Sequence, residues 1–357
     1  MDTSVMVTLG FLVFAIVMFA WEKIPLSITA MVVAVGLHLS GVLSAKEAFT
    51  GFVDPNVLLF MGMFVIGEAF FATGVAVGVG NVVHKFAKTE TSLLVAVMMI
   101  TGILSGFLSN TGTAAVLIPV IIGICKKSGF KQTKLLMPLV FAAAMGGNIS
   151  LIGAPGNMIA QAGLQQAGLG SFGFFDYGLV GLPILIVGTI FYATIGKRFL
   201  PDAPSHQPDG AFEGNDDYSH VPSWKKWTAA IVLILTVVAM IFEKQLGVKL
   251  YVSAWVGALV LVATNVISEI AAVRSIDMKT IMLFAGSMAL GDAMVKTGTG
   301  SVIADIIVNS LGASPSPIVV LVVIFALGVF MTNFMSNTAT CALLVPIGLS
   351  LASQLGF

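Results

Sequence analysis

Apolar runs of about twenty residues, the length of helix that crosses a lipid bilayer, recur from one end of this chain to the other. Inside a bilayer no water satisfies backbone N–H and C=O groups, so such runs close their hydrogen bonds within themselves as helices. The pattern points to an all-α polytopic membrane protein, multi-pass in the cell membrane. Composition agrees: 57% of the 357 residues are hydrophobic and 10% are charged, more apolar surface than a soluble core uses. One signal peptide or one anchor does not account for runs spread along the whole length.

Helices are predicted at about 5–20, 24–43, 56–78, 92–108, 112–125, 135–165 with a break near 146–157, and 177–199. They resume at about 227–242, 250–268, 279–296, 317–335 and 339–354. Between the two groups, residues 200–226 carry Pro, Asp, Gly, Ser and His in place of apolar residues and read as an extramembrane connector. That divides the chain into a first repeat (1–199), the connector, and a second repeat (227–357).

The two halves match. Leu59-Phe60, Gly67-Glu68 and Thr73-Gly74 correspond to Leu283-Phe284, Gly291-Asp292 and Thr297-Gly298. Further on, Ser109-Asn110-Thr111 and Pro119 correspond to Ser336-Asn337-Thr338 and Pro346. Residues 131–199 have no counterpart, so the second repeat is expected to be incomplete at its C-terminus, through truncation or with a partner chain supplying the rest.

Each Ser-Asn-Thr lies between two apolar helices separated by a few polar residues. Such a pair is either two full spans or a re-entrant hairpin. Basic residues gather on the cytoplasmic side of membrane proteins, which arbitrates between the two. With two hairpins and the N-terminus outside, Lys23, Lys85, Lys88, Lys126, Lys127, Lys131, Lys134, Lys197, Arg198, Lys225, Lys226, Arg274 and Lys279 fall inside. Only Lys46, Lys244, Lys249 and Lys296 fall outside. The expected fold is therefore an inverted-topology repeat with two re-entrant helical hairpins, whose tips approach the midplane from opposite faces.

A hairpin tip joins the C-terminal carbonyls of one half-helix to the unpaired N–H groups and positive dipole of the next. Ser, Asn and Thr add neutral donors that an anion completes, and the carbonyls suit a hard cation such as sodium. A fixed Lys or Arg would leave a buried charge in an empty carrier; none is present in either triplet. The plainer reading is that each triplet only caps its second half-helix. The segment Gly146-Gly147-Asn148-Ile149-Ser150-Leu151-Ile152-Gly153-Ala154-Pro155-Gly156-Asn157 breaks the following helix, and unwound backbone of this kind is tolerated where it faces a cavity. A plain proline kink is the alternative.

Paired Ser-Asn-Thr hairpins, each leading to an apolar run and a proline, with a Gly-x-Pro-x-Asn break after the first, resemble the divalent anion:sodium symporter family of the ion transporter superfamily. The resemblance covers nearly the whole chain. It implies an elevator-type carrier, a homodimer, that moves dicarboxylates, citrate, sulfate or phosphate together with sodium ions and uses no organic cofactor. Its substrate contacts map to Ser109, Asn110, Thr111, Ser336, Asn337 and Thr338. Its first sodium site maps to Ser105, Ser109, Asn110 and the backbone of Gly153; its second maps to Thr332, the backbone of Met335, and Asn337, with a fourth ligand beyond Phe357. The family's break commonly has a hydroxyl residue and a second proline where this chain has Ala154 and Gly156, so the substrate does not carry over.

Glu68 and Asp292 occupy matching places in apolar helices, where an acid serves either proton coupling or a paired, water-reached structural role. His38 reads as a satisfied polar residue, and Trp21, Trp224 and Trp227 as interface anchors. Zero net charge and the lack of basic runs interleaved with aromatics argue against nucleic acid as a partner. Cys125 and Cys341 stand apart from other ligand residues and read as apolar filler rather than a metal site or a disulfide. No nucleophile–base pair suggests an enzyme. Two other readings remain: an arsenite permease or sodium/proton antiporter of the same superfamily, in which the two acids matter more, and a truncated fragment that does not transport.

Overall fold

Prolines and small polar residues set where the helices begin. A computed structural model describes residues 2–78, 89–128, 130–201, 218–311 and 316–356. Among them, α-helices of seven or more residues, numbered in chain order, are α1 (Thr3–Trp21), α2 (Leu26–Leu39), α3 (Pro55–Ala72), α4 (Glu90–Ser105) and α5 (Asn110–Ser128). Next come α6 (Thr133–Gly146), α7 (Pro155–Gln166), α8 (Gly178–Thr194), α9 (Ser223–Ile241) and α10 (Leu250–Ala263). The last are α11 (Glu269–Ser275), α12 (Met278–Thr297), α13 (Thr299–Leu311), α14 (Pro317–Met331) and α15 (Asn337–Leu355).

Pro55, Pro155 and Pro317 open α3, α7 and α14, the position where a missing N–H costs nothing and the fixed φ is already helical. Thr89 and Ser92 form a reciprocal capping box on α4. Ser268, Asp277 and Ser316 cap α11, α12 and α14 with their side chains. Gly298, at φ +74°, ends α12 in the left-handed region and separates it from α13.

The chain is all-α, with no strand among the described residues. Among the described residues, five helical stretches are long and apolar enough to cross a membrane: Thr3–Trp21, Ala45–Ala72, Ser223–Ile241, Met278–Thr297 and Asn337–Leu355. Most predicted spans have counterparts within a few residues, and the predicted break falls between Gly146 and Pro155, where α6 stops and α7 starts. Among the helical elements not anticipated are short helices at Ala45–Phe49 and Glu243–Leu246, α11 and α13. Most of the predicted connector, together with Lys85, Lys88 and Phe357, lies outside the described residues.

The helices pack as two compact units. One comprises residues 1–58, 158–171 and 277–357. Its core joins Leu12, Leu37, Leu43, Leu290, Met294 and Leu343. There α12 meets α2 where Gly286 sits directly on the Ala30 backbone, with no room for a Cβ. The other unit comprises residues 59–157 and 172–276, with Leu93, Met98, Ile121, Leu135, Leu139 and Leu185 at its centre. Gly146 of α6 lies against the Gly102 backbone of α4 in the same manner. Lipid removes most of the hydrophobic drive between helices, so small residues that allow close backbone contact do much of the packing. Large apolar side chains point outward instead: Leu179 is 80% exposed and Phe325 72%, a costly arrangement in water and a natural one against acyl chains.

Candidate functional site

The two Ser-Asn-Thr triplets fold alike, each within its own unit. In the unit that contains α4, α5 and α6, α5 begins at Asn110 and Ser109 stands just before it. Ser109 Oγ accepts the Gly112 N–H at 3.1 Å, and its carbonyl accepts the Thr113 N–H at 2.9 Å. In the other unit Ser336 is the N-cap of α15: its Oγ accepts from Ala339 N–H at 3.1 Å, and its carbonyl from Thr340 N–H at 3.0 Å. Both serines therefore cap, as the plainer reading expects. A hydroxyl that accepts a cap bond still keeps its own proton to donate, so capping and ligand binding are compatible.

The asparagines match as well. Ser105, at the last turn of α4, hydrogen-bonds across the tip to Asn110 at 2.7 Å. Thr332, just past α14, donates to Asn337 Oδ1. The residue five places before each asparagine thus ties the end of one helix to the start of the next.

Around Asn110 more groups converge. Ser105 is fully buried and its hydroxyl donates to the Ala143 carbonyl of α6 at 2.7 Å. The amide end of Asn110 that faces it lies 2.7 Å from Ser105 Oγ, 3.2 Å from Ala143 O and 3.1 Å from Gly153 O. The two ends of an amide have the same shape. With nitrogen there, the two amide hydrogens of Asn110 are shared among three oxygens; with oxygen there, four oxygens cluster together, a donor set suited to a hard cation.

The broken helix holds the Gly153 carbonyl in place. Asn157 Nδ2 donates to Gly147 O and to Ser150 O, both at 2.9 Å. Ser150 Oγ donates to Gly106 O, and Tyr177 Oη donates to Asn157 O at 2.8 Å. Gly147 packs on the Asn110 amide with no space for a Cβ, and a Cβ on Gly153 would lie 2.5 Å from Gly147 O.

Of the predicted site residues, Ser105, Asn110 and Gly153 come together, and Ser109 caps the same tip. Thr111 is exposed beside them. At the second tip, Thr332 and Asn337 touch each other and are exposed, Thr338 is half-buried, and Met335 is buried with its N–H on Met331 O at 3.0 Å. The Ala143 carbonyl and the bracing role of Asn157, Ser150 and Tyr177 escaped the sequence reading. A backbone acceptor carries no residue signature, although Asn157 ends the Gly-x-Pro-x-Asn motif.

The remaining candidates have definite places. Asp292 lines a cavity of about 780 Å³ in its own unit, beside Glu47 and Lys296, which pair at 2.8 Å. Glu68 lines a separate cavity in the other unit. His38 Nδ1 bonds the Leu43 carbonyl at 3.1 Å, the satisfied role expected of it. Trp21, Trp224 and Trp227 are all more than half exposed.

Comparison with known proteins adds the following. Residues 16–357 match the profile of a family described as citrate transporter. An uncharacterized transporter of Escherichia coli strain K12, YfbS, is 33% identical over 211 residues, covering 59% of this chain and 35% of that protein. An uncharacterized transporter of Haemophilus influenzae is 28% identical over 367 residues, covering 98% of this chain and 77% of the relative. The sodium-dependent dicarboxylate transporter SdcS of Staphylococcus saprophyticus is 24% identical over 365 residues, covering 91% and 69%. The match to the first of these spans about a third of that relative's length.

Proposed function

This chain belongs to the citrate transporter family, a family of multi-pass membrane transporters and not of enzymes, and we propose that it carries a small divalent anion coupled to sodium. Dicarboxylate, citrate, sulfate and phosphate are the candidate cargoes. The observation that carries this reading is the Asn110 cluster, in which a neutral amide can present oxygen alongside Ser105 Oγ, Ala143 O and Gly153 O. Sodium there would neutralise partial charge beside a helix N-terminus whose amides and hydroxyls favour an anion. Cargo and cation sit side by side, and neither requires a fixed charge in the empty protein. The staphylococcal relative is named as a sodium-dependent dicarboxylate transporter, which agrees with this pairing.

In this reading Ser109, Asn110, Thr111, Ser336, Asn337 and Thr338 contact the anion. The first sodium is held by Ser105, Ser109, Asn110 and Gly153, and the second by Thr332, Met335 and Asn337. The mode of transport is that of an inverted-repeat, elevator-type homodimer. The test is uptake of labelled succinate, citrate, sulfate and phosphate into proteoliposomes under sodium or choline gradients. Sodium-dependent uptake of one of them, lost in Asn110→Ala and in Asn337→Ala, is expected. Uptake that persists in both variants for every anion refutes the site.

The placement of Asp292 in a cavity with Glu47 and Lys296 favours one competing reading, a sodium/proton antiporter of the same superfamily. Sodium flux driven by an imposed pH gradient, with no anion taken up, and its loss in Asp292→Asn would establish it instead.

A further inference from the structure

The residues between α10 and α12, 264–277, connect two apolar helices and so lie at a boundary between membrane and water. Beside this connection is a cavity of about 400 Å³ lined by Glu68, Ser268, Ile270, Ala271, Arg274 and Ser275. Glu68 comes from α3, four residues before its end at Ala72, or roughly 6 Å along the axis. It therefore lies about one turn from the end of that helix.

Glu68 is half-buried between the buried Gly67 and Ala69, whereas Arg274 is exposed. Both belong to the same unit. Among the described residues neither makes a hydrogen bond or an ion pair. A carboxylate and a guanidinium in one cavity ordinarily close into a bidentate pair; here they stand apart across open space. The hydroxyls lining the same cavity are already engaged: Ser268 Oγ accepts from Ala271 N–H at 3.2 Å, and Ser275 Oγ donates to Ala272 O at 2.7 Å. One open negative group and one open positive group remain. Ile270 and Val273, on the same short helix as Arg274, are 65% and 63% exposed.

We infer that this cavity binds the headgroup of a zwitterionic phospholipid bearing a primary amine. The phosphate lies on Arg274, whose planar donors match phosphate oxygens. The ammonium donates to Glu68, and the acyl chains run over Ile270 and Val273. The ligand is a dipole matched to a dipole, so neither an anion nor a cation alone satisfies both ends. The cavity falls within the size of small-ligand sites, and the membrane in which the chain resides supplies the occupant. This inference is independent of the hairpin cluster and of which anion is carried.

The experiment is native mass spectrometry of the purified 357-residue chain with phosphatidylethanolamine, phosphatidylcholine or phosphatidylglycerol added, alongside Glu68→Gln and circular dichroism to confirm an intact fold. Phosphatidylethanolamine should be retained roughly tenfold more strongly than either other lipid. A quaternary ammonium has no N–H to donate and phosphatidylglycerol has no amine, so each forgoes one charge-assisted hydrogen bond. Glu68→Gln should abolish the preference over phosphatidylcholine while leaving the fold unchanged. Glycerophosphoethanolamine, which lacks chains, should be retained far less than the lipid. Equal retention of the three lipids, a preference that survives Glu68→Gln, equal binding of the chainless headgroup, or a cavity occluded by a second protein copy in cross-linking would each overturn the inference.

Discussion

Asn110→Asp separates the two chemistries that the Asn110 cluster allows. The substitution keeps the shape of the side chain and removes its ability to donate. In the absence of a bound cation, the amide donates toward oxygens at 2.7, 3.1 and 3.2 Å. An amide nitrogen carries two hydrogens, so a carboxylate there forfeits two bonds, about 1 kcal/mol each and about 2 kcal/mol together. For an unfolding entropy of about 2.1 cal/mol/K per residue over 357 residues, that lowers the thermal midpoint by roughly 3 °C. A cation reverses the sign, because the carboxylate becomes a stronger ligand than the amide. Sodium at a hundred times its dissociation constant restores about 2.7 kcal/mol.

The assay is thermal unfolding of purified wild type and Asn110→Asp in sodium chloride and in choline chloride at equal ionic strength, which holds screening constant. The variant should melt several degrees lower in choline and recover most of the loss in sodium. Asn337→Asp, exposed and tied to Thr332 alone, should lose much less in choline. An Asn110→Asp midpoint equal to wild type in choline, or an equal drop in both salts, refutes the reasoning.

Gly147→Ala and Gly153→Ala insert a methyl group against the Asn110 amide and the Gly147 carbonyl. Each should cost about 1 to 3 kcal/mol and weaken the sodium-induced shift in midpoint, whereas Gly10→Ala, with open space around it, should be silent. Ser109→Ala and Ser336→Ala each remove one helix cap and should lower stability by about 1 kcal/mol in thermal unfolding. Asn157→Leu frees the Gly147 and Ser150 carbonyls; faster amide hydrogen exchange across residues 146–157, with exchange in α1 and α2 unchanged, is the expected result.

Much of the architecture was legible because bilayer-length apolar runs leave few alternatives to helix. The break at 146–157 was visible in its glycines and proline, and α6 and α7 stop and start as expected. The helix α13 escaped because Thr299, Gly300, Asp305 and Asn309 dilute its apolar face and it follows directly on a left-handed glycine. Missing α11 had a similar cause: seven residues bearing both Glu269 and Arg274 are too short and too charged to read as a span. Around the first triplet, Ser105, Asn110 and Gly153 were named from the sequence and come together, whereas the Ala143 carbonyl was hidden because any residue supplies one. The cavity shared by Glu68 and Arg274 was equally hidden, since it depends on helices more than two hundred positions apart in the chain.

The bracing of the first tip also bears on the order in which the protein can be assembled. Ser105, Asn110, Ala143, Gly147, Ser150, Gly153, Asn157 and Tyr177 all lie in one uninterrupted stretch of sequence, and the hydrogen bonds among them involve no residue beyond Tyr177. Contacts that close short loops form early and cheaply, and chains fold from their N-terminal side as they are synthesised. The first tip can therefore close while the ribosome is still producing α9. None of its bonds has to wait for the second triplet to be translated.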